Sequence, residues 1–196
     1  VVTCAGDAGP FTYKKSRRGD TLADRAATCV LRELESPGTR VLDFVPYGSD
    51  ERQYCSAGFN LPVGSLMRSM YMTYPQYHTS EDNRDFISFE ALRSTIDVYF
   101  RTCLALDVNV TYRNLLPYGE PQLGKRGLLP SYTAGRAYDG DTERRAALIK
   151  WLLNLADGDN DLLAVAERSG LDLQSLHSAA QACLAAGLVV RDDHER

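Results

Sequence analysis

Val1-Val2-Thr3-Cys4-Ala5 is an apolar run of strand-forming character, and Val41-Leu42-Asp43-Phe44-Val45 is a second. Between them Leu22, Ala26, Cys29 and Val30 recur at helical spacing; Asp20 can cap that helix and Ser36-Pro37-Gly38 ends it. Parallel neighbours in a sheet need a crossover connection, and a helix supplies it. This order therefore predicts an α/β domain on a mostly parallel sheet covered by helices. The first run has no initiator Met, charged n-region or polar lead-in, so the chain is expected to start inside a fold.

Residues 46–85 are dense in Gly, Pro, Ser, Asn and Tyr, and only residues 64–70 have strand character. The rest is expected to be structured loop, the kind of segment that carries function. Ser88 can cap the next helix, whose stripe of Phe89, Leu92, Ile96, Tyr99 and Cys103 is expected to cover the sheet. Residues 109–140 show neither period and read as an extended arm held by apolar anchors. Three helical segments follow, at 143–156, 162–168 and 173–186, then a short strand at 188–190. The Ser169-Gly170-Leu171-Asp172 turn makes the second and third a helix-turn-helix in a winged-helix setting. The expected domains are thus 1–108, the arm 109–140, and a winged-helix module 141–196.

A net charge of −4 with a pI near 5.4 gives no electrostatic reason to expect nucleic acid or an anionic membrane as partner. The would-be recognition helix contains no Arg or Lys, so phosphate contacts and guanine readout lack their usual donors. A DNA-binding regulator is therefore disfavoured. The five cysteines are scattered and odd in number, which argues against a disulfide framework and fits a reducing cytoplasm. No apolar run is long enough to span a bilayer. Asn109-Val110-Thr111 matches a glycosylation acceptor and reads as a chance tripeptide.

Reactive side chains concentrate in Tyr47-Gly48-Ser49-Asp50-Glu51-Arg52-Gln53-Tyr54-Cys55 and in Tyr77-His78-Thr79-Ser80-Glu81-Asp82-Asn83. These loops are expected to follow strands, where open α/β sheets bind ligands. Arg52 can clamp a carboxylate and Tyr54 can donate to a carbonyl or oxyanion, so both are candidate substrate-binding residues. Cys55 lacks a partner base, which disfavours a cysteine nucleophile. The run Lys14-Lys15-Ser16-Arg17-Arg18 reads as a solvated basic loop.

The GSD segment, GFNLP and YHTSEDN, with GEPQLGKRG further on, resemble the end of a dinuclear zinc aminopeptidase domain. The resemblance is closer to bacterial aminopeptidase-like proteins that end in a winged helix, and it spans nearly the whole chain. It implies a zinc-dependent amide hydrolase holding two zinc ions and acting on a peptide or small amide with a free amino terminus. It further implies that His78 is a zinc ligand and that Asp7 is a carboxylate ligand of the second zinc. Glu51 stands where typical members carry His, so Asp50 and Glu51 receive no metal role. The remaining ligands and the water-activating Glu would lie upstream of Val1, on a missing N-terminal half or a partner chain, and no catalytic residue is assigned here. Alone the chain is expected to be inert; a homo-oligomer is possible. The alternative is a degenerate member of the same fold that binds or scaffolds.

Overall fold

In the computed structural model, which describes residues 1–130 and 139–192, the middle strand of the first sheet is Thr12–Lys14 (β1). All three of its residues are buried, although the sequence places it at the edge of a basic run. It leads to helix α1 (Leu22–Glu33) and strand β2 (Arg40–Leu42), which lies parallel to β1. A strand-helix-strand unit is thus present, but its first strand is Thr12–Lys14 and not the expected run Val1–Ala5. A one-turn helix α2 (Glu51–Tyr54) follows, then β3 (Ser65–Met67), which pairs antiparallel with β1 to give the order β2-β1-β3. Val2 makes one parallel bridge to Leu66. The long helix α3 (Phe89–Asp107) completes this unit, which spans Val1–Leu106.

The expectation of a mostly parallel sheet is corrected by these pairings. The strands are three residues long, and the one after the loop region runs against its neighbour. Hydrophobic runs identify strands, but partner and direction depend on how the intervening loop returns the chain, which no local period records.

The α1 cap is also not the one expected. Thr21, rather than Asp20, is the N-cap; its hydroxyl accepts the Asp24 N–H at 3.3 Å and Asp24 accepts the Thr21 N–H at 3.0 Å. An acid three residues after a Thr satisfies two orphan helix donors reciprocally, which Asp20 does not do. Buried Asp24 also accepts from Tyr13 Oη at 2.9 Å and Ser16 Oγ at 2.6 Å, so the cap ties α1 to β1. Ala26, Ala27, Cys29, Val30 and Leu31 form the buried face of α1. Burying a Val or Leu fully contributes about 1.5–3 kcal/mol.

Helix α3 meets the expected stripe only in part: Tyr99 Oη donates to Leu66 O of β3 at 2.5 Å and Leu92 is half-buried, but its fully buried side is another. It buries Ala91, Thr95, Val98 and Ala105, while Phe89, Ile96 and Phe100 are exposed. The small side chains allow close backbone approach: Thr95 Oγ1 reaches Ala5 O at 2.9 Å. Counting large apolar residues selects the other stripe.

The second unit, Asp107–Arg196, has strand β4 (Thr111–Asn114), a 3-10 turn at Gly124–Arg126, α4 (Gly140–Leu155), β5 (Asp157–Asp161), α5 (Leu162–Ser169), α6 (Leu173–Ala185) and β6 (Val189–Arg191). β4 lies in the stretch read as an arm without regular structure, yet it is the centre of an antiparallel sheet ordered β5-β4-β6. Asp139, Asp161 and Asp172 each accept an N–H at 2.8 Å to cap α4, α5 and α6. Gly170 ends α5 at φ 72°, a left-handed conformation that favours glycine. Ile149, Leu152, Leu163, Leu176 and Leu188 are buried at its centre.

Candidate functional site

The turn after Val2 presents Asp7, a carboxylate only 5% exposed. Its Oδ1 accepts the Gly9 N–H at 2.7 Å and the Ser69 hydroxyl at 2.6 Å, and its Oδ2 accepts the Ser69 N–H at 3.2 Å. A Cβ at Gly9 would lie 2.1 Å from Ser69 Oγ and 2.6 Å from Asp7 Oδ1, so glycine is required for this approach. Arg68 fastens the same turn: Nη1 donates to Gly9 O at 2.7 Å, Nη2 to Ser94 Oγ at 2.6 Å, and the guanidinium lies 4.4 Å from the Phe11 ring centre. Asp7 is therefore oriented by groups on β3's extension, while Oδ2 retains acceptor capacity.

Close to it runs the tyrosine-rich turn. Tyr74 stacks on Phe86 at 5.5 Å and meets Tyr77 edge-on at 5.6 Å; Tyr77 in turn stacks on His78 at 4.1 Å. Burial, then a hydrogen bond to Cys4, then the charges of Asp82 and Asp7 push the Tyr74 phenol well above its usual range. Tyr77 is raised by burial and by the neighbourhood of Cys4, Tyr71 and Glu51. The charge of Asp7 is thus felt at Tyr74 and that of Glu51 at Tyr77. His78 itself is exposed, with φ 59°. Cys4 and Met72 also have positive φ, at 45° and 62°. Left-handed backbone at non-glycine residues is strained and tends to cluster at functional sites.

A second group was missed by the sequence reading. Lys14 and Glu51 are both fully buried and form an ion pair. Lys14 Nζ also donates to Tyr47 O at 2.7 Å and Tyr71 Oη at 2.8 Å. Glu51 Oε2 is buried without a hydrogen-bond partner among the described residues. Lys14 is thus a correction to the solvated-loop expectation, which fails for Ser16 as well; Arg17 and Arg18 are exposed. The available signal was Phe11-Thr12-Tyr13, strand-forming residues that continue directly into Lys14.

Of the substrate-binding candidates, Arg52 and Tyr54 lie on α2 and face solvent, while Glu51 and Cys55 on the same turn point inward. Cys55 Sγ donates to Val63 O at 3.2 Å. Among the described residues, no three or more His, Cys, Asp and Glu side chains gather as a metal group. No described helix is long and apolar enough to cross a membrane. A cavity of about 530 Å³ lies in the second unit beside Glu120, Lys150 and Asp157, and none of the candidate residues lines it.

Comparison with known proteins adds four findings. Residues 110–191 match a winged helix-turn-helix family, in keeping with α4–α6 and their sheet. A Clostridium acetobutylicum protein, provisionally named for polysaccharide biosynthesis and described as having an aminopeptidase-like domain, is 42% identical over 182 residues, 93% of this chain. A crystal structure from the same organism, provisionally described as a peptidase, superposes with a TM-score of 0.85 at 39% identity over 97% of this chain. The chain spans 41% of the length of each of these two relatives. Residues 1–109 match the family described as a domain of unknown function, DUF4910, and over that majority of its length the chain belongs to this family.

Proposed function

We propose that the chain is one part of a zinc-dependent, aminopeptidase-like amide hydrolase, with Asp7 and His78 each giving one ligand to a two-zinc site completed by residues outside these 196. The observation that carries this reading is Asp7. A ligating carboxylate must be held by neighbouring donors while keeping a lone pair for the metal. Ser69 and Gly9 do the holding, and Oδ2, with its one 3.2 Å contact, keeps the capacity. The aminopeptidase-like domain of the 42% identical relative supports the same reading. Zinc, when bound, would polarise the amide carbonyl and lower the pKa of water. On this chain, Asp7 would hold its place through Ser69, His78 would offer a ring nitrogen from an exposed turn, and Arg52 and Tyr54 would meet the substrate from α2.

A second reading, a degenerate binding or scaffolding member, is favoured by Glu51. It stands where the resemblance implies His, and it is committed to Lys14. Zinc content and aminopeptidase activity of the full-length protein separate the two. About two zinc ions per chain, with zinc stoichiometry or affinity lowered and activity falling by orders of magnitude in His78→Ala and Asp7→Asn, is the expected result. Full zinc occupancy and unchanged activity in both variants would sink the ligand assignment. Absence of zinc from the unmutated full-length protein would support the scaffold.

A further inference from the structure

Helix α3 is apolar on two opposite sides. One side, Ala91, Thr95, Val98 and Ala105, is buried in the first unit. On the other, Phe89 is 79% exposed, Ile96 68% and Phe100 62%, and the exposed Cys103 continues the stripe one turn on. Spacings of seven, four and three residues keep these four on one line of the helix. Scattered exposed apolar side chains need no explanation, but two phenylalanines and an isoleucine aligned on one helix form a patch that soluble proteins cover. A helix with a second apolar stripe opposite its core face, here flanked by the exposed pairs Glu90–Arg93 and Asp97–Arg101, has a second layer to meet.

We infer that the Phe89-Ile96-Phe100-Cys103 face of α3 is the seat of the polypeptide that completes the longer protein, and that α3 is an inner helix between the described sheet and that segment. The inference rests on the proposal that the 196 residues are part of a larger hydrolase. Its occupant follows from length. The relatives share this fold at a TM-score of 0.85, and the chain spans only 41% of them, so more than half of the relative's chain lies outside the superposed region. The sheet that α3 covers has three strands of three residues, with Val2 on its rim 66% exposed. A second apolar layer needs such a partner, and a segment of the same polypeptide is always at hand.

Cys103 supplies the readout, because it is the one cysteine of the five classed as exposed. The full-length protein and the 196-residue chain are pulsed with iodoacetamide, and labelling of each cysteine is read by peptide mass spectrometry. The expected result is labelling of Cys103 at least tenfold slower in the full-length protein than in the chain alone, at every chain concentration. In the full-length protein, Ile96→Asp should restore rapid Cys103 labelling while Cys29 and Cys55 stay protected, as a local loss of docking requires. Equal labelling in both proteins would overturn the inference. So would protection in the isolated chain: dependent on concentration, with a dimeric mass, it would mean that a second copy covers the face, and independent of concentration, that the chain covers it itself. The readout needs neither zinc nor activity, so it can fail while the hydrolase proposal stands, and the reverse.

Discussion

Replacing Lys14 by Met removes the ammonium from a site where neither partner sees solvent. Met is close to Lys in length and fills the space, so the change isolates charge and hydrogen bonding from packing. Glu51 would then keep a buried carboxylate whose Oε2 already lacks a partner among the described residues. Its Oε1 would keep only the Tyr71 hydroxyl, 3.5 Å away. The carbonyl of Tyr47 would lose a 2.7 Å donor and compete with that carboxylate for the single Tyr71 proton, from a hydroxyl 3.0 Å away. Breaking a buried pair on one side costs about 3–5 kcal/mol, because a charge is left uncompensated. Against a typical total of about 5–15 kcal/mol this is a large share of stability. Trp151, the single tryptophan, lies in α4 of the second unit. Cys55 reports on this site, since it is 1% exposed and follows Glu51 on α2. Alkylation of Cys55 across a urea series should therefore show Lys14→Met opening at much lower denaturant. Lys14→Met/Glu51→Leu, which removes both charges, should recover most of the loss. A single-variant loss below about 1 kcal/mol, the level of an exposed pair, or a double variant as unstable as the single one, would refute the argument that an uncompensated charge sets the cost.

Asp24 should govern acid stability: burial alone would raise its pKa, but hydrogen bonds from Ser16, Thr21 and Tyr13 outweigh it and hold the carboxyl below its usual value. Such a group stabilises the fold above its unfolded pKa of about 3.9, and that stability is lost as pH falls through the lower folded value. Urea midpoints measured from pH 7 to pH 2 should fall at the acid end for the unmutated chain and fall less for Asp24→Asn, which starts lower at pH 7; parallel curves would remove Asp24 from the account. The winged-helix unit should not retain duplex DNA at micromolar concentration, since α6 carries no Arg or Lys and Arg144 is engaged with Asp172 at 2.6 Å. A salt-sensitive gel shift at or below that concentration would contradict this.

Local chemistry determined much of the second unit in advance. Capping aspartates, leucines at helical spacing and a glycine after α5 act within a few residues, so α4, α5, α6 and β6 could be read to within a few positions. The same holds for α1 and α3 as helices and for residues 77–83 as a loop, whereas residues 47–55 carry the one-turn helix α2. The resemblance carried by YHTSEDN and the GSD segment pointed to an aminopeptidase-like protein; one relative is described as having an aminopeptidase-like domain and the solved one as a peptidase.

What the tertiary structure decided are the relations between segments far apart in the chain. β1 is central because β2 and β3 come to it from opposite sides, 28 and 51–55 positions away by their registers. Lys14 is buried because Glu51 and Tyr71 close over it, and its sequence neighbours Lys15, Arg17 and Arg18 carry no sign of this. Asp7 is aimed by Ser69, 62 residues on. The side of α3 that faces the sheet was set by how closely small residues allow the helix to approach, since apolar content alone suits either face. Propensity, capping and periodicity act over one or two turns of chain, whereas burial and electrostatic pairing depend on which distant segments arrive at the same place.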